Sequence, residues 1–139
     1  NTLHVSYKQN VNIKNDNIEV FITLPVLNGL ALSGSGSITT SGAFNGNTDF
    51  NVTISGSGNI HFSRGTSQNF YSQVNGSGSI YMLNMVTAKA DATITGSGET
   101  EITANNQLKV KIIGSGKLYY HGTPVITTSI TGSGIVLPK

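Results

Sequence analysis

The tripeptide Gly-Ser-Gly occurs six times in this chain, and its spacing constrains the fold more than any other feature. The six triplets begin at Gly34, Gly56, Gly76, Gly96, Gly114 and Gly132. Successive triplets are therefore 22, 20, 20, 18 and 18 residues apart. A fixed period of about 20 residues is typical of a stacked repeat architecture, in which each repeat contributes one structural unit.

Alignment on the triplets shows which side chains face inward. Two residues before the triplets stand Leu32, Ile54, Val74, Ile94, Ile112 and Ile130, all aliphatic. Other even offsets are mostly apolar and the odd offsets mostly polar, which is the period of a strand with one buried face. A parallel stack requires equivalent residues to point the same way. The pattern predicts an all-β fold, a single-stranded, parallel, right-handed β-solenoid (β-helix) of ~20-residue coils with Gly-Ser-Gly turns.

The chain is predicted to form one domain over residues 1–139, with the six repeats in residues 31–139. Residues 1–30 contain no triplet, but they hold alternating apolar runs at Leu3-Val5-Tyr7 and over 18–24. We expect this segment to form one or two atypical coils or a partial cap, because a solenoid needs protected ends.

Two pairs of opposite charges fit the same stacking. Asp91 and Lys109 share one outward offset in neighbouring coils, and Glu99 and Lys117 share another. Each pair is predicted to be a cross-strand neighbour in a parallel stack.

Three stretches carry a resemblance to a known family. They are Val20–Pro25 followed by Leu30–Gly36, the central triplets, and Tyr119–Pro124 leading to Ile130–Gly134. In these the chain resembles the head GIN domains of Bacteroides-like bacteria, a family described as auto-transporter adhesins. The resemblance implies a β-helix-like superhelix, export to the periplasm, outer-membrane surface or extracellular space, and a role in adhesion. Family members carry more chain before the first strand, which implies that an N-terminal part of the domain is missing here.

Composition disfavours several functional classes. The chain has no cysteine, which excludes disulfides and cysteine-based metal sites. Its eight basic and six acidic residues give a net charge of +2, and the basic residues are spread along the sequence, which disfavours nucleic-acid binding. No apolar run approaches the ~18 residues of a transmembrane helix. No cofactor is predicted, since the glycines do not precede a helix that could bind phosphate.

The histidines and paired carboxylates are predicted to be surface residues. His4, His61 and His121 lack nearby carboxylates at a spacing that suits a metal. Glu99 and Glu101 share one outward face, where two carboxylates could serve glycoside hydrolysis. Six acidic residues leave little to build a catalytic groove, so salt-bridged surface residues are expected instead. We predict no metal site, no catalytic residue and no enzyme activity.

Three outward tyrosines are the candidate ligand contacts, namely Tyr71, Tyr81 and Tyr119. Aromatic rings in such positions can contact sugars or enter a protein interface. The favoured hypothesis is a non-catalytic, exported structural and adhesive module whose partners are host or cell-surface glycans or proteins. A glycan-binding module and a carbohydrate-active β-helix enzyme are the alternatives. A homo-oligomer is compatible with the sequence, although no feature demands one.

Overall fold

The structure is a computed structural model that describes residues 2–6 and 17–139. Its described part is all-β and contains no helix. The ten strands are β1 (Gly29–Gly34), β2 (Ser37–Thr39), β3 (Phe44–Gly56), β4 (Asn59–His61), β5 (Gly65–Gly76), β6 (Ser79–Gly96), β7 (Glu99–Gly114), β8 (Lys117–His121), β9 (Val125–Gly132) and β10 (Ile135–Pro138). All of the pairings between these strands are parallel.

The strands stack into a β-solenoid of six turns, which confirms the fold predicted from the repeat. The segments before the triplets stack in the order β1, β3, β5, β6, β7 and β9. The segments after the triplets stack as β2, β4, the start of β6, the start of β7, β8 and β10. We name the outward side of the first stack the long face and that of the second the short face.

The register between coils is the one that the triplet alignment predicts. Gly56, Gly76 and Gly96 are partners in successive strands, and so are Val74 and Ile94. The aliphatic residues two positions before the triplets are fully buried in the inner coils. Burial of one such side chain contributes about 1.5–3 kcal/mol. The core consists of Phe50, Val52, Ile54, Ile60, Phe62, Phe70, Val74, Ile80, Met82, Met85, Ala90, Ala92, Ile94, Ile102, Ala104, Leu108, Val110, Ile112 and Leu118.

The triplet corner needs its two glycines for different reasons. Gly96 has a φ of 120°, in the region that favours glycine. Gly98 has no such angle, but a Cβ there would lie 2.5 Å from Cγ1 of Val74 in the preceding coil. Backbone hydrogen bonds join one corner to the next, as from the N–H of Ser97 to the carbonyl of Gly76 at 3.0 Å. The corners are therefore packed backbone on backbone.

The opposite corner absorbs the change in coil length. Between β6 and β7 the register shifts from Met82 to Val86 and again from Thr87 to Lys89. The hydroxyl of Thr103 donates to the carbonyl of Leu83 at 2.6 Å and stabilises this irregular backbone. The coil can shorten here because the core columns on either side keep their register.

The two ends of the solenoid differ from its centre. Residues 2–6 and 17–28 contain no strand, and Tyr7 of the run Leu3-Val5-Tyr7 lies outside the described residues. That residues 1–30 form atypical coils or a partial cap stays a prediction. At the other end every residue of β9 is exposed, so Ile126 and Ile130 end their core columns at the surface.

Candidate interaction surfaces

One column of side chains dominates the short face. His61, Tyr81, Glu101 and Tyr119 each stand three residues after a triplet, and they are partners in successive strands. Parallel strands lie about 4.8 Å apart, so neighbouring side chains of this column touch. The predicted contacts Tyr81 and Tyr119 therefore belong to one strip, with Glu101 between them.

The ring of Tyr81 has a partner within the chain. Its centroid lies 4.6 Å from that of the His61 imidazole, and the two planes are inclined by only 16°. Each ring covers one face of the other, because stacked rings at this distance leave no room for a third group. Tyr81 can thus offer a ligand one face and its hydroxyl, rather than two open faces.

Glu101 is buried, contrary to the expectation of an exposed outward carboxylate. Only 10% of its side chain is accessible, and its carboxylate forms an ion pair with Lys139. The carboxylate hydrogen bond raises the pKa of the Lys139 ammonium above its ordinary value. The ammonium also lies 5.7 Å from the centroid of the Tyr119 ring, within the range of a cation–π contact. Glu101 is buried because it lies between two tyrosines and beneath a long lysine side chain.

Both predicted charge pairs are cross-strand neighbours, as expected, and one of them forms an ion pair. Asp91 and Lys109 are register partners, and their charged groups lie 3.4 Å apart, which confirms this pair. Glu99 and Lys117 are also register partners, although no ion pair joins them in the described structure. Both side chains of the Asp91–Lys109 pair are well exposed, at 40% and 66%. An exposed pair of this kind contributes about 0.2–1 kcal/mol to stability.

The long face carries the third candidate, Tyr71. Its register partners are Asn51 and Asp91, and 45% of the residue is exposed. Nearby, the amide of Asn69 donates to the carboxylate of Asp49 at 2.8 Å. Tyr71 is therefore surrounded by groups that donate and accept hydrogen bonds.

The fold also gathers three exposed lysines that look dispersed in the sequence. Lys89 on β6 is the register partner of Gln107 on β7. On β7, Lys109 and Lys111 are the register partners of Asp91 and Thr93. We call Lys89, Lys109 and Lys111 the lysine patch. Lys89 and Gln107 both stand seven residues before their triplets, so the triplet alignment holds unchanged at this position. The patch was missed in the sequence because its three lysines occupy three different offsets on two strands. The alternation of Lys109 and Lys111 on one strand was the available signal.

Across residues 2–6 and 17–139, no group of three or more histidines and carboxylates could hold a metal ion. His4, His61 and His121 are exposed. The part of the chain that the structure describes has no helix of the length and apolarity needed to cross a membrane.

Comparison with known families and structures gives a consistent result. The family model described as "Putative auto-transporter adhesin, head GIN domain" matches residues 1–124. A crystal structure described as a putative adhesin from Parabacteroides distasonis is 21% identical, with a TM-score of 0.67 over 80% of this chain. A second, described as a putative adhesin from Parabacteroides merdae, is 21% identical with a TM-score of 0.68 over 80% of this chain.

A third structure carries a different description. A protein described as a putative lipid binding protein from Parabacteroides distasonis is 29% identical, with a TM-score of 0.65 over 80% of this chain. The chain spans 58%, 57% and 52% of these three structures respectively. No curated protein matched the sequence. At 21% identity the first two likenesses establish the fold alone.

Proposed function

Because this chain belongs to the family described as "Putative auto-transporter adhesin, head GIN domain", we propose that it is an exported adhesin module that binds cell-surface glycans or proteins through its outward faces. The observation that carries the proposal is the pairing of a closed core with three outward tyrosines, of which Tyr71 is exposed and Tyr81 and Tyr119 are partly buried. The inward-facing apolar side chains of the inner coils are almost completely buried, so a ligand is expected to bind outside. Tyr71 on the long face and Tyr81 and Tyr119 on the short face are the contacts that we propose.

A solenoid suits adhesion because its outward faces are rigid. Each coil is held to the next by a parallel backbone ladder and by in-register core columns, so the faces keep their shape. Side chains on such a face recur about every 4.8 Å across the strands and about every 6.6 Å along them. An extended polymer can contact several of them together, and linked weak contacts add up to a strong one.

The proposal is tested by adhesion of protein-coated beads to bacterial and host cells, together with binding to a glycan array. We expect saturable adhesion that Tyr71→Ala combined with Tyr81→Ala and Tyr119→Ala weakens by about tenfold or more, because aromatic side chains dominate such interfaces. Thr95→Ala is the control, since Thr95 is exposed near the triplet corner and away from the three rings. Adhesion that is absent, or equal in the triple variant and the wild type, would contradict the proposal.

The carbohydrate-active enzyme remains the competing hypothesis, and it is tested by a screen for polysaccharide cleavage. Glu101, one of its two candidate carboxylates, is already engaged by Lys139. A general acid or base needs access to the proton that it transfers. We therefore expect no turnover. Cleavage that is abolished by Glu99→Gln or Glu101→Gln would replace the adhesin proposal with an enzymatic one.

A further inference from the structure

We propose that the lysine patch is a binding site for acidic polysaccharide. The inference rests on the proposed adhesive function and names the ligand class of the long face. It begins from charge, because the three lysines of the patch adjoin a single carboxylate, that of Asp91. The Asp91 carboxylate neutralises Lys109 at 3.4 Å. Within the described chain, no carboxylate lies within 4.0 Å of the Lys89 or Lys111 ammonium.

The positions of these two ammonium groups suit an extended anionic chain. Lys89 lies on β6 and Lys111 on β7, in neighbouring strands about 4.8 Å apart. Along the strands they flank the Asp91–Lys109 pair, since Lys89 precedes Asp91 by two residues and Lys111 follows Lys109 by two. The other carboxylate of this region, Asp49, is two strands from Lys89 and accepts a hydrogen bond from Asn69. Both nearby carboxylates are thus already engaged, so they offer little repulsion to a polymer with repeated negative charges that crosses the patch.

The side chains around the lysines favour a carbohydrate over other anionic partners. Thr93 and Gln107 are register partners of the lysines, and Gln73 is the partner of Thr93 on the next strand. Hydroxyl and amide groups are suited to sugar hydroxyls, because they both donate and accept hydrogen bonds. Tyr71 lies beside Asp91 and adds an exposed ring to the same surface.

The number of charges argues against a nucleic acid or a membrane. Proteins that bind duplex DNA tightly make about 6–10 phosphate contacts. Polybasic segments that bind anionic lipids usually contain about 4–8 lysines or arginines. Three lysines, one of them paired, fall short of both. A polysaccharide with one carboxylate per sugar can bind through only a few charge contacts at a time. Many equivalent stretches along its length can occupy the same site, which raises the overall affinity.

The test measures binding of the full chain to immobilised polygalacturonate, with dextran as the uncharged polymer. We expect binding to polygalacturonate alone, weakened at about 0.3 M salt because exposed charges are screened. Lys89→Gln combined with Lys111→Gln is expected to lower the affinity by about fivefold to tenfold. The control is Arg64→Gln with Lys117→Gln, which removes the same charge from exposed residues outside the patch and is expected to change affinity by less than about twofold.

Several results would overturn the inference. These are no binding to polygalacturonate, equal binding to dextran, or an equal loss in the patch and control variants with unchanged circular dichroism. Tighter binding to duplex DNA or to phosphatidylserine vesicles would assign the patch to another class of partner. The bead assay separates the two proposals: if the patch variant adheres to cells like the wild type, adhesion stands and the patch is not its site. If the wild type binds polygalacturonate but adheres to no cell, the ligand class stands and the adhesin proposal fails.

Discussion

Replacing the third glycine of a triplet by alanine should be harmful only where a coil lies beneath it. Gly98 and Gly36 occupy the same triplet position, and neither has a positive φ. A Cβ at Gly98 would lie 2.5 Å from Cγ1 of Val74 and 2.6 Å from the carbonyl oxygen of Gly78. At Gly36, in the first coil, the nearest atom would be Cδ1 of Leu32 at an ordinary 3.7 Å. The two substitutions therefore differ in packing and not in backbone angle.

The expected magnitudes follow from these distances. The carbonyl of Gly78 accepts the N–H of Glu99 at 3.1 Å, so it cannot move aside without weakening that bond. Overpacking costs about 1–3 kcal/mol and a weakened hydrogen bond about 1 kcal/mol. We expect Gly98→Ala to lower the free energy of unfolding by about 2–4 kcal/mol. Gly36→Ala should be neutral or stabilising by about 0.4–1 kcal/mol, because alanine restricts the unfolded chain.

Urea denaturation followed by circular dichroism measures both variants against the wild type. The slope of the transition shows whether unfolding remains a single cooperative step, which a repeat protein need not obey. A thermal melt gives a second value, with a shift of about 2–8 °C expected per kcal/mol. If the two variants have free energies of unfolding within about 0.5 kcal/mol of each other, the contact between Gly98 and the coil below is wrong.

Three further predictions concern the core and the surface. Thr100 is fully buried, and its hydroxyl has no hydrogen-bond partner among the described residues. Thr100→Val should therefore raise the free energy of unfolding by about 1 kcal/mol in urea denaturation. A lower free energy of unfolding would show that the hydroxyl does have a partner. Ile94→Asp buries an uncompensated charge and should unfold the solenoid, and an unchanged circular dichroism spectrum and melting temperature would show that the register is wrong. Asp91→Asn with Lys109→Met in a double-mutant cycle should give a coupling of about 0.2–1 kcal/mol that high salt removes, whereas a salt-independent coupling would argue against an exposed ion pair.

The fold could be predicted from sequence because the spacing of the triplets determines both how the coils stack and which side chains point inward. Once the triplets are aligned, Ile54, Val74 and Ile94 must share a column, and the structure buries all three. The contact between Lys139 and Glu101 could not be found in this way. The two residues are 38 positions apart and stand at different offsets from their triplets, so the alignment does not make them neighbours.

Contacts between outward side chains are likewise not determined by the alignment. An alignment tells which side chains leave the core, so Tyr71 could be placed on the surface from sequence alone. It does not tell which of them take a partner there, because exposed side chains choose rotamers after the backbone is set. The stack of His61 on Tyr81 is such a choice. Their shared offset, three residues after a triplet, makes the two rings neighbours but does not set their nearly parallel planes.

The glycine corners also bear on how such a chain can change in length over evolution. Gly56, Gly76 and Gly96 have φ angles of 128°, 125° and 120°. Each packs against the backbone carbonyl of the equivalent glycine in the preceding coil. Duplication or excision of the segment between two corners would join matching backbone to matching backbone, whereas loss of a single residue within a strand would turn the inner side chains outward. Recombination can therefore lengthen or shorten the rod in whole coils of about 4.8 Å. Its length can be adjusted in such steps without a new core.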